Sequence, residues 1–145
     1  PVVLDPVLAS GHGDALAEDD PVDTVNELLA LATIALPNEP EACAIGDFPC
    51  EHLLLTGGHG ERRFVENRWS WHGRLVRRWR WPRLPGEFHG SGCTLAATLA
   101  ARLALGDTMA QALERAQRCC NQALADAYAI ADGQQIPRRI EHRGA

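Results

Sequence analysis

Residues 52–58, His52-Leu53-Leu54-Leu55-Thr56-Gly57-Gly58, hold a short apolar run that ends in two glycines. A continuous run of this length is typical of a strand buried on both faces of a parallel sheet. Two similar runs precede it, Val2-Val3-Leu4 and Thr33-Ile34-Ala35-Leu36, and proline follows each of them, as Asp5-Pro6 and as Pro37. Because proline stops strand pairing, we predict three short parallel strands.

The segments around these strands alternate with them. Asp19-Asp20-Pro21 predicts a helix start, since acidic residues and an early proline favour a helix N-terminus. Asn38-Glu39-Pro40-Glu41-Ala42 predicts a loop that enters a short helix. The stretches 62–71 and 75–81 flank His72-Gly73 and predict an antiparallel hairpin. This order of strands and helices indicates an α/β fold.

Two helices are predicted after the hairpin. The first opens at Gly90-Ser91-Gly92 and stops at Gly106, a residue type that favours helix ends. The second is capped by Asp107-Thr108 and is expected to run to about Asp132-Gly133. The Arg-rich segment 138–145 is predicted to be a frayed tail.

Composition places the chain in a definite class. With 145 residues, 46% of them apolar, it has the size of a single domain over 1–145 and can bury a core. Its net charge is −5, and every basic residue is arginine. The absence of lysine excludes chemistry that needs a lysine of this chain, such as a Schiff base. No apolar run approaches 18 residues, so no membrane association is expected. Five cysteines without paired spacing indicate a reducing cytoplasm rather than a disulfide framework.

The most distinctive motif is His89-Gly90-Ser91-Gly92-Cys93-Thr94, directly before an Ala/Leu-rich helix. Glycines let the backbone approach a ligand closely, and the N–H groups of the first helical turn then point at one place. Together with the helix dipole they form an anion-binding site, with Cys93 in the first helical turn. The alternative, a tight loop into a helix with a buried cysteine, fits the pattern about equally well.

Two carboxylates follow the predicted strands. Glu41, in Asn38-x-x-Glu41, and Asp5 both lie near carboxyl ends of strands, where ligands bind in open α/β sheets. Such carboxylates hold Mg²⁺, usually through water. Each also has an ordinary structural interpretation, since Asn38 and Glu41 match a capping box and Asp5 matches a turn before proline.

A run rich in arginine and tryptophan covers residues 62–83. Basic surfaces interleaved with aromatic side chains can bind nucleic acid. However, Trp79 and Trp81 alternate with Arg78 and Arg80, as a half-buried strand requires. Because the chain is acidic overall, we favour packing and predict no nucleic-acid partner.

Taken in order, four motifs resemble bacterial hydroxymethylpyrimidine/phosphomethylpyrimidine kinases, thiamine-biosynthesis enzymes of the ribokinase-like superfamily. They are residues 3–7 (Val-Leu-Asp-Pro-Val), 37–42 (Pro-Asn-Glu-Pro-Glu-Ala), 55–59 (Leu-Thr-Gly-Gly-His) and 89–94 (His-Gly-Ser-Gly-Cys-Thr). The resemblance implies a three-layer α/β/α fold with a mostly parallel sheet and an antiparallel hairpin. It also implies phosphorylation of 4-amino-5-hydroxymethyl-2-methylpyrimidine and of its monophosphate by ATP with Mg²⁺.

The resemblance assigns roles residue by residue. Cys93 is implied as the base near the accepting oxygen, and the backbone of Gly90, Ser91, Gly92 and Cys93 as the anion hole for the transferring phosphoryl group. The remaining assignments are the metal-organising residues Glu41 and Asp5, the nucleotide-binding residues Asn38, Thr56 and Gly58, and the substrate contact Val7.

The chain departs from the family in three ways. Many members have lysine where Thr56 stands, so a phosphate contact there must come from a hydroxyl group or from an arginine. The segment from Ala42 to His52 is too short for the helix that members place before the third strand. The N-terminal half of the family is missing, so the chain is expected to be a fragment that is poorly stable or that associates, for example as a homodimer.

Two other functions are weighed against the kinase. The first is a non-catalytic remnant that keeps only the nucleotide-side half as a binding module. The second is a cysteine hydrolase with Cys93 and His89, for which no third orienting group is evident.

Overall fold

The computed structural model describes residues 1–8, 21–58 and 63–140. It contains five strands and four helices in these ranges. In chain order they are β1 (Val3–Leu4), α1 (Pro21–Leu29), β2 (Ile34–Ala35), α2 (Glu39–Ile45), β3 (His52–Leu55), β4 (Phe64–Trp71), β5 (Arg74–Pro82), α3 (Ser91–Ala104) and α4 (Met109–Ala125).

The chain divides into two compact units, Pro1–Arg83 and Leu84–Ala145. The single domain expected over 1–145 therefore stays a prediction, and the two units are described separately. None of the helices in the described ranges is long and apolar enough to cross a membrane.

The first unit holds one sheet with the strand order β1-β2-β3-β4-β5. β1 pairs with β2 and β2 with β3 in parallel, with Ile34 opposite both Val3 and His52. β3 pairs with β4 and β4 with β5 in antiparallel orientation. The three apolar runs are thus the predicted parallel strands, and the Arg/Trp stretch is the predicted hairpin.

Apolar side chains from α1, β2 and α2 form the core of this unit. Leu29 and Ala35 are fully buried in it, with Val25, Ala32 and Ile45 around them. Each large side chain of this kind contributes about 1.5–3 kcal/mol relative to an exposed one. Because α1 begins at Pro21, the predicted proline start is present, whereas Asp19 and Asp20 lie outside the described residues.

The hairpin turns at two residues with positive φ, His72 at 46° and Gly73 at 72°. This is the backbone that a two-residue turn needs to match the twist of its strands. Trp69 and Trp79 are buried and stack with ring centroids 6.5 Å apart, while Arg78 and Arg80 are exposed. Trp69 and Trp79 therefore pack on one face of the hairpin and the two arginines lie on the other, as predicted for a half-buried strand.

The second unit is built on α3 and α4. Leu95 and Leu99 of α3 are buried, and so are Leu113 and the alanines of one face of α4. Thr108 caps α4 with a capping box completed by Gln111, as its position in the sequence predicts.

Two predictions about the end of the chain are corrected. α4 ends at Ala125 rather than near Gly133, because Tyr128 and Ile136 exchange backbone hydrogen bonds, a pairing that helical backbone cannot make. Arg138 and Arg139, expected to begin a frayed tail, are anchored: the N–H of Arg138 donates to Ala123 O (2.9 Å), and Arg139 Nε donates to Thr94 Oγ1 (3.0 Å). Residues 141–145 lie outside the described part.

Candidate functional site

The predicted site residues of the first unit lie at one edge of its sheet. Asp5, Asn38 and Thr56 follow β1, β2 and β3, and parallel strands bring their carboxyl ends to the same edge. Asn38 and Thr56 form a parallel bridge, and the Thr56 N–H donates to Pro37 O at 2.9 Å. The sheet register therefore sets two of the predicted nucleotide-binding residues side by side.

Glu41 occupies the third position of α2 and completes a capping box. The Asn38 N–H donates to Glu41 Oε2 at 2.8 Å, and the Glu41 N–H donates to Asn38 Oδ1 at 2.8 Å. The capping alternative is therefore present in the structure. The cap uses only part of the hydrogen-bonding capacity of the Glu41 carboxylate, because an ionised carboxylate can accept about four hydrogen bonds.

Asp5 and Glu41 also influence each other electrostatically. Burial raises the pKa of Glu41, and the negative charge of Asp5 raises it further, while hydrogen bonds from Asn38 and from the backbone of Leu8 act in the opposite direction. Burial also raises the pKa of Asp5. Two half-buried carboxylates, one of which disfavours the ionisation of the other, form a place where a cation is stabilising.

The donor set fits a magnesium ion that keeps much of its water. Hard oxygen ligands from one or two carboxylates, supplemented by water and phosphate, are the usual arrangement for Mg²⁺ in sites that handle ATP. Within the described ranges no group of three or more His, Cys, Asp or Glu could enclose a metal. The pair Asp5 and Glu41 thus suits the ion accompanying a nucleotide better than an all-protein metal cage.

At the end of β3, the structure gives the hydrogen bonds of Thr56 and of a nearby arginine. Thr56 Oγ1 donates to Pro37 O at 3.2 Å, so its proton is already used by the backbone. Arg83 lies beside this edge, where its NH1 group donates to Gly58 O at 3.0 Å. The sequence placed Arg83 only within the Arg/Trp stretch, because no local pattern connects it with Gly58, which lies 25 positions earlier in the chain.

Gly57 is required at this edge for space. Its N–H donates to Asn67 Oδ1 at 3.0 Å, and a Cβ atom there would lie 2.5 Å from the backbone oxygen of Glu66. β4 therefore passes directly against the Gly57-Gly58 turn. Gly58 itself has φ +128°, a conformation that side chains with a Cβ rarely adopt.

The second unit contains the glycine-rich helix start. Gly90 is the N-cap of α3 in the left-handed conformation with φ 85°, without a side-chain cap, and the first turn carries no acidic residue. The first backbone bond of the helix runs from the Thr94 N–H to Gly90 O at 3.0 Å. The N–H groups of Ser91, Gly92 and Cys93 precede it and lack intrahelical partners, as in the first turn of any helix, and anion binding by them stays a prediction.

Cys93 is exposed in this first turn, in contrast to the buried cysteine of the structural alternative. Cys120 of α4 is buried, whereas its neighbour Cys119 is exposed. All five cysteines are free thiols. Val7, the predicted substrate contact of the first unit, is 44% exposed.

Comparisons with known proteins agree with these motifs. The sequence model of the family described as phosphomethylpyrimidine kinase matches residues 1–49 and 43–138. The two matched pieces overlap at residues 43–49, inside the segment that is short for this family.

Individual relatives carry the same description. The hydroxymethylpyrimidine/phosphomethylpyrimidine kinase of Mycobacterium tuberculosis H37Rv is 31% identical over 153 residues, covering 92% of this chain and 56% of that kinase. The thiamine biosynthesis multifunctional protein ThiED of Corynebacterium efficiens is 30% identical over 155 residues, covering 92% of this chain and 21% of that protein. The chain thus spans about half the length of the Mycobacterium kinase that it matches, and about a fifth of the multifunctional protein.

Solved structures show the same fold. The pyridoxal kinase of Staphylococcus aureus in complex with AMP-PCP matches with a TM-score of 0.80 at 21% identity, covering 94% of this chain and 57% of that one. An ADP complex of Bacillus subtilis pyridoxal kinase matches with a TM-score of 0.79 at 19% identity, covering 95% and 58%. These neighbours confirm the predicted ribokinase-like α/β fold class, and the family match leads to the conclusion that the chain belongs to the phosphomethylpyrimidine kinase family.

Proposed function

We propose that the protein transfers the γ-phosphoryl group of ATP to the hydroxymethyl oxygen of 4-amino-5-hydroxymethyl-2-methylpyrimidine, and then to the resulting monophosphate, in thiamine biosynthesis in the cytoplasm. The observation that carries the proposal is the family match, which extends from residue 1 to residue 138 and includes all four motifs. Phosphoryl transfer needs positioning and positive charge rather than covalent chemistry, and backbone N–H groups supply both.

In the first unit, the proposed roles follow the edge of the sheet. Glu41 and Asp5 would hold Mg²⁺ and its waters, and the ion would supply neutralising charge on the phosphates. Asn38, Thr56 and the Gly58 backbone would contact the nucleotide. Since the Thr56 hydroxyl proton is bonded to Pro37 O, we propose that Arg83 supplies the cationic phosphate contact of the missing lysine. Val7 would touch the pyrimidine.

In the second unit, the proposed roles lie in the first turn of α3. The N–H groups of Gly90 to Cys93 would neutralise charge on the transferring phosphoryl group. Cys93 would accept the proton of the hydroxymethyl group as its oxygen attacks phosphorus. Its exposure at the helix start supports this role, because the side chain is not committed to packing.

The experiment compares Cys93→Ala with Cys119→Ala in the full-length protein. Cys119 is a matched control because it is also an exposed free thiol, on α4. We expect Cys93→Ala to lower kcat by about 10²- to 10⁴-fold, the usual contribution of a general base. Nucleotide affinity, measured by calorimetry, should survive, because the anion hole is backbone. Cys119→Ala should leave both quantities at the wild-type value.

Two results would contradict the assignment of Cys93. Equal turnover in both variants would remove it as the base. Loss of nucleotide affinity together with turnover in Cys93→Ala would show that the cysteine shapes the helix start instead.

A non-catalytic remnant is the second candidate, because threonine stands at residue 56, where many family members have lysine. A remnant would bind nucleotide without turning over the hydroxymethylpyrimidine. Measurable turnover by the full-length protein excludes it, whereas nucleotide binding with no turnover favours it over the kinase.

A further inference from the structure

Arg139 connects the end of the chain to the glycine-rich turn before α3. Its Nε donates to Thr94 Oγ1 at 3.0 Å, and the Thr94 hydroxyl donates to Gly90 O at 2.7 Å. The direct contact from Arg139 NH2 to Gly90 O is longer, at 3.5 Å. The principal link therefore runs through Thr94, whose buried side chain accepts one hydrogen bond and donates another.

The turn is also held from α4. Cys120 Sγ donates to Ser91 O at 3.5 Å. Burial raises the pKa of Cys120 to about 11, with a further contribution from Cys119, while the charge of Arg139 acts in the opposite direction. The thiol is thus a protonated donor, and the guanidinium lies near enough to influence it.

These contacts act together with the helical bond from the Thr94 N–H to Gly90 O to set the direction of backbone N–H groups. In a planar trans peptide, the C=O of one residue and the N–H of the next point in opposite directions. A donor on Gly90 O therefore orients the Ser91 N–H, and a donor on Ser91 O orients the Gly92 N–H. Both N–H groups then point away from Arg139 and Cys120.

The guanidinium group of Arg139 lies directly beside Gly90. A Cβ atom at this position would lie 2.5 Å from Arg139 NH2, the end of a flexible side chain. A guanidinium beside the positive end of a helix dipole is unfavourable unless negative charge compensates it. The first turn of α3 contains no acidic residue that could do so.

We propose that Arg139 is a positioning residue for phosphoryl transfer. Through Thr94 it holds the Gly90-Ser91 peptide so that the N–H groups of the first turn are aligned before the phosphoryl group arrives, and the phosphoryl charge compensates the guanidinium. This inference rests on the proposed function of the turn. It assigns a role to a residue that the sequence pattern placed in a frayed tail.

The test compares Arg139→Gln and Arg139→Lys with the control Arg138→Gln in the full-length protein. Arg138 donates to Asp126 O and stacks over the ring of Tyr128, so its loss removes an arginine without touching the turn. We expect Arg139→Gln to lower kcat about tenfold or more, as misplaced catalytic geometry does. The KM for the hydroxymethylpyrimidine should stay within about twofold, since ground-state binding is not affected. Arg139→Lys should be intermediate, because lysine keeps the charge but lacks the planar fork.

Equal kcat in Arg139→Gln and Arg138→Gln would overturn the proposal, as would a raised KM with kcat unchanged. A second readout does not depend on turnover. The amide NMR shifts of Ser91 and Gly92, without nucleotide, should change in Arg139→Gln and not in Arg138→Gln, and unchanged shifts would overturn the positioning role. If the wild-type protein shows no turnover, the proposed function fails and the amide shifts alone decide this inference.

Discussion

Replacing Gly57 by alanine tests whether the edge of the sheet is as closely packed as the structure indicates. The added Cβ would lie 2.5 Å from Glu66 O and 3.1 Å from Glu66 N, and both atoms belong to the backbone of β4. Ordinary contact begins near 3.4 Å, so β4 and the turn must separate by about 0.9 Å. A flexible side chain could move aside, whereas a paired strand cannot do so without losing hydrogen bonds.

Two effects are expected to lower the free energy of unfolding in Gly57→Ala. Overpacking against backbone costs about 1–3 kcal/mol. Loss of the bond from the Gly57 N–H to Asn67 Oδ1 adds about 0.5–1.5 kcal/mol. The sum, roughly 1.5–4.5 kcal/mol, corresponds to a decrease in Tm of about 5–15 °C for a chain of this size.

The assay is thermal unfolding of the full-length protein, with Gly73→Ala as the control. Gly73 has φ +72°, and a Cβ added there would meet no atom within 4 Å, so this variant carries backbone strain of about 1–2 kcal/mol without a clash. Calorimetry at a temperature where both variants are folded should show weaker nucleotide binding for Gly57→Ala only. Equal losses of Tm in the two variants, or an unchanged Tm in Gly57→Ala, would refute the packing argument.

Three further predictions concern Glu41 and the hairpin. Glu41→Gln should lower turnover, with partial recovery at high Mg²⁺, and unchanged kinetics would leave Glu41 as a helix cap only. The pKa of Glu41 is raised in the folded protein, so the folded state becomes less stable as pH rises from the ordinary carboxyl pKa through the folded-state pKa. Glutamine does not ionise, and Glu41→Gln should therefore be at least as stable as wild type in thermal unfolding at pH 7. This advantage should disappear below the ordinary carboxyl pKa of about 4. The hairpin should not bind nucleic acid, since Arg78 and Arg80 pair with Glu66; salt-dependent binding of single-stranded DNA that is lost in Arg78→Glu with Arg80→Glu would contradict this.

The local elements could be predicted from the amino-acid order, because their causes are local. Proline after each of the first two apolar runs, two residues with positive φ between the hairpin strands, and Asn38 three residues before Glu41 each specify a structure through neighbouring atoms. The family resemblance could be stated for the same reason, since its motifs are short and contiguous.

Features that depend on residues distant in the chain required the folded structure. α4 ends at Ala125 because Tyr128 pairs with Ile136, and a paired Tyr128 cannot continue the helix. The helical spacing of apolar residues in the sequence gives no sign of this pairing. The effect of the Asp5 charge on Glu41 needs adjacent parallel strands. Arg139 reaches Thr94 across 45 residues, and no periodicity in the sequence encodes that distance, so only the folded chain shows that an apparent tail holds the glycine-rich turn.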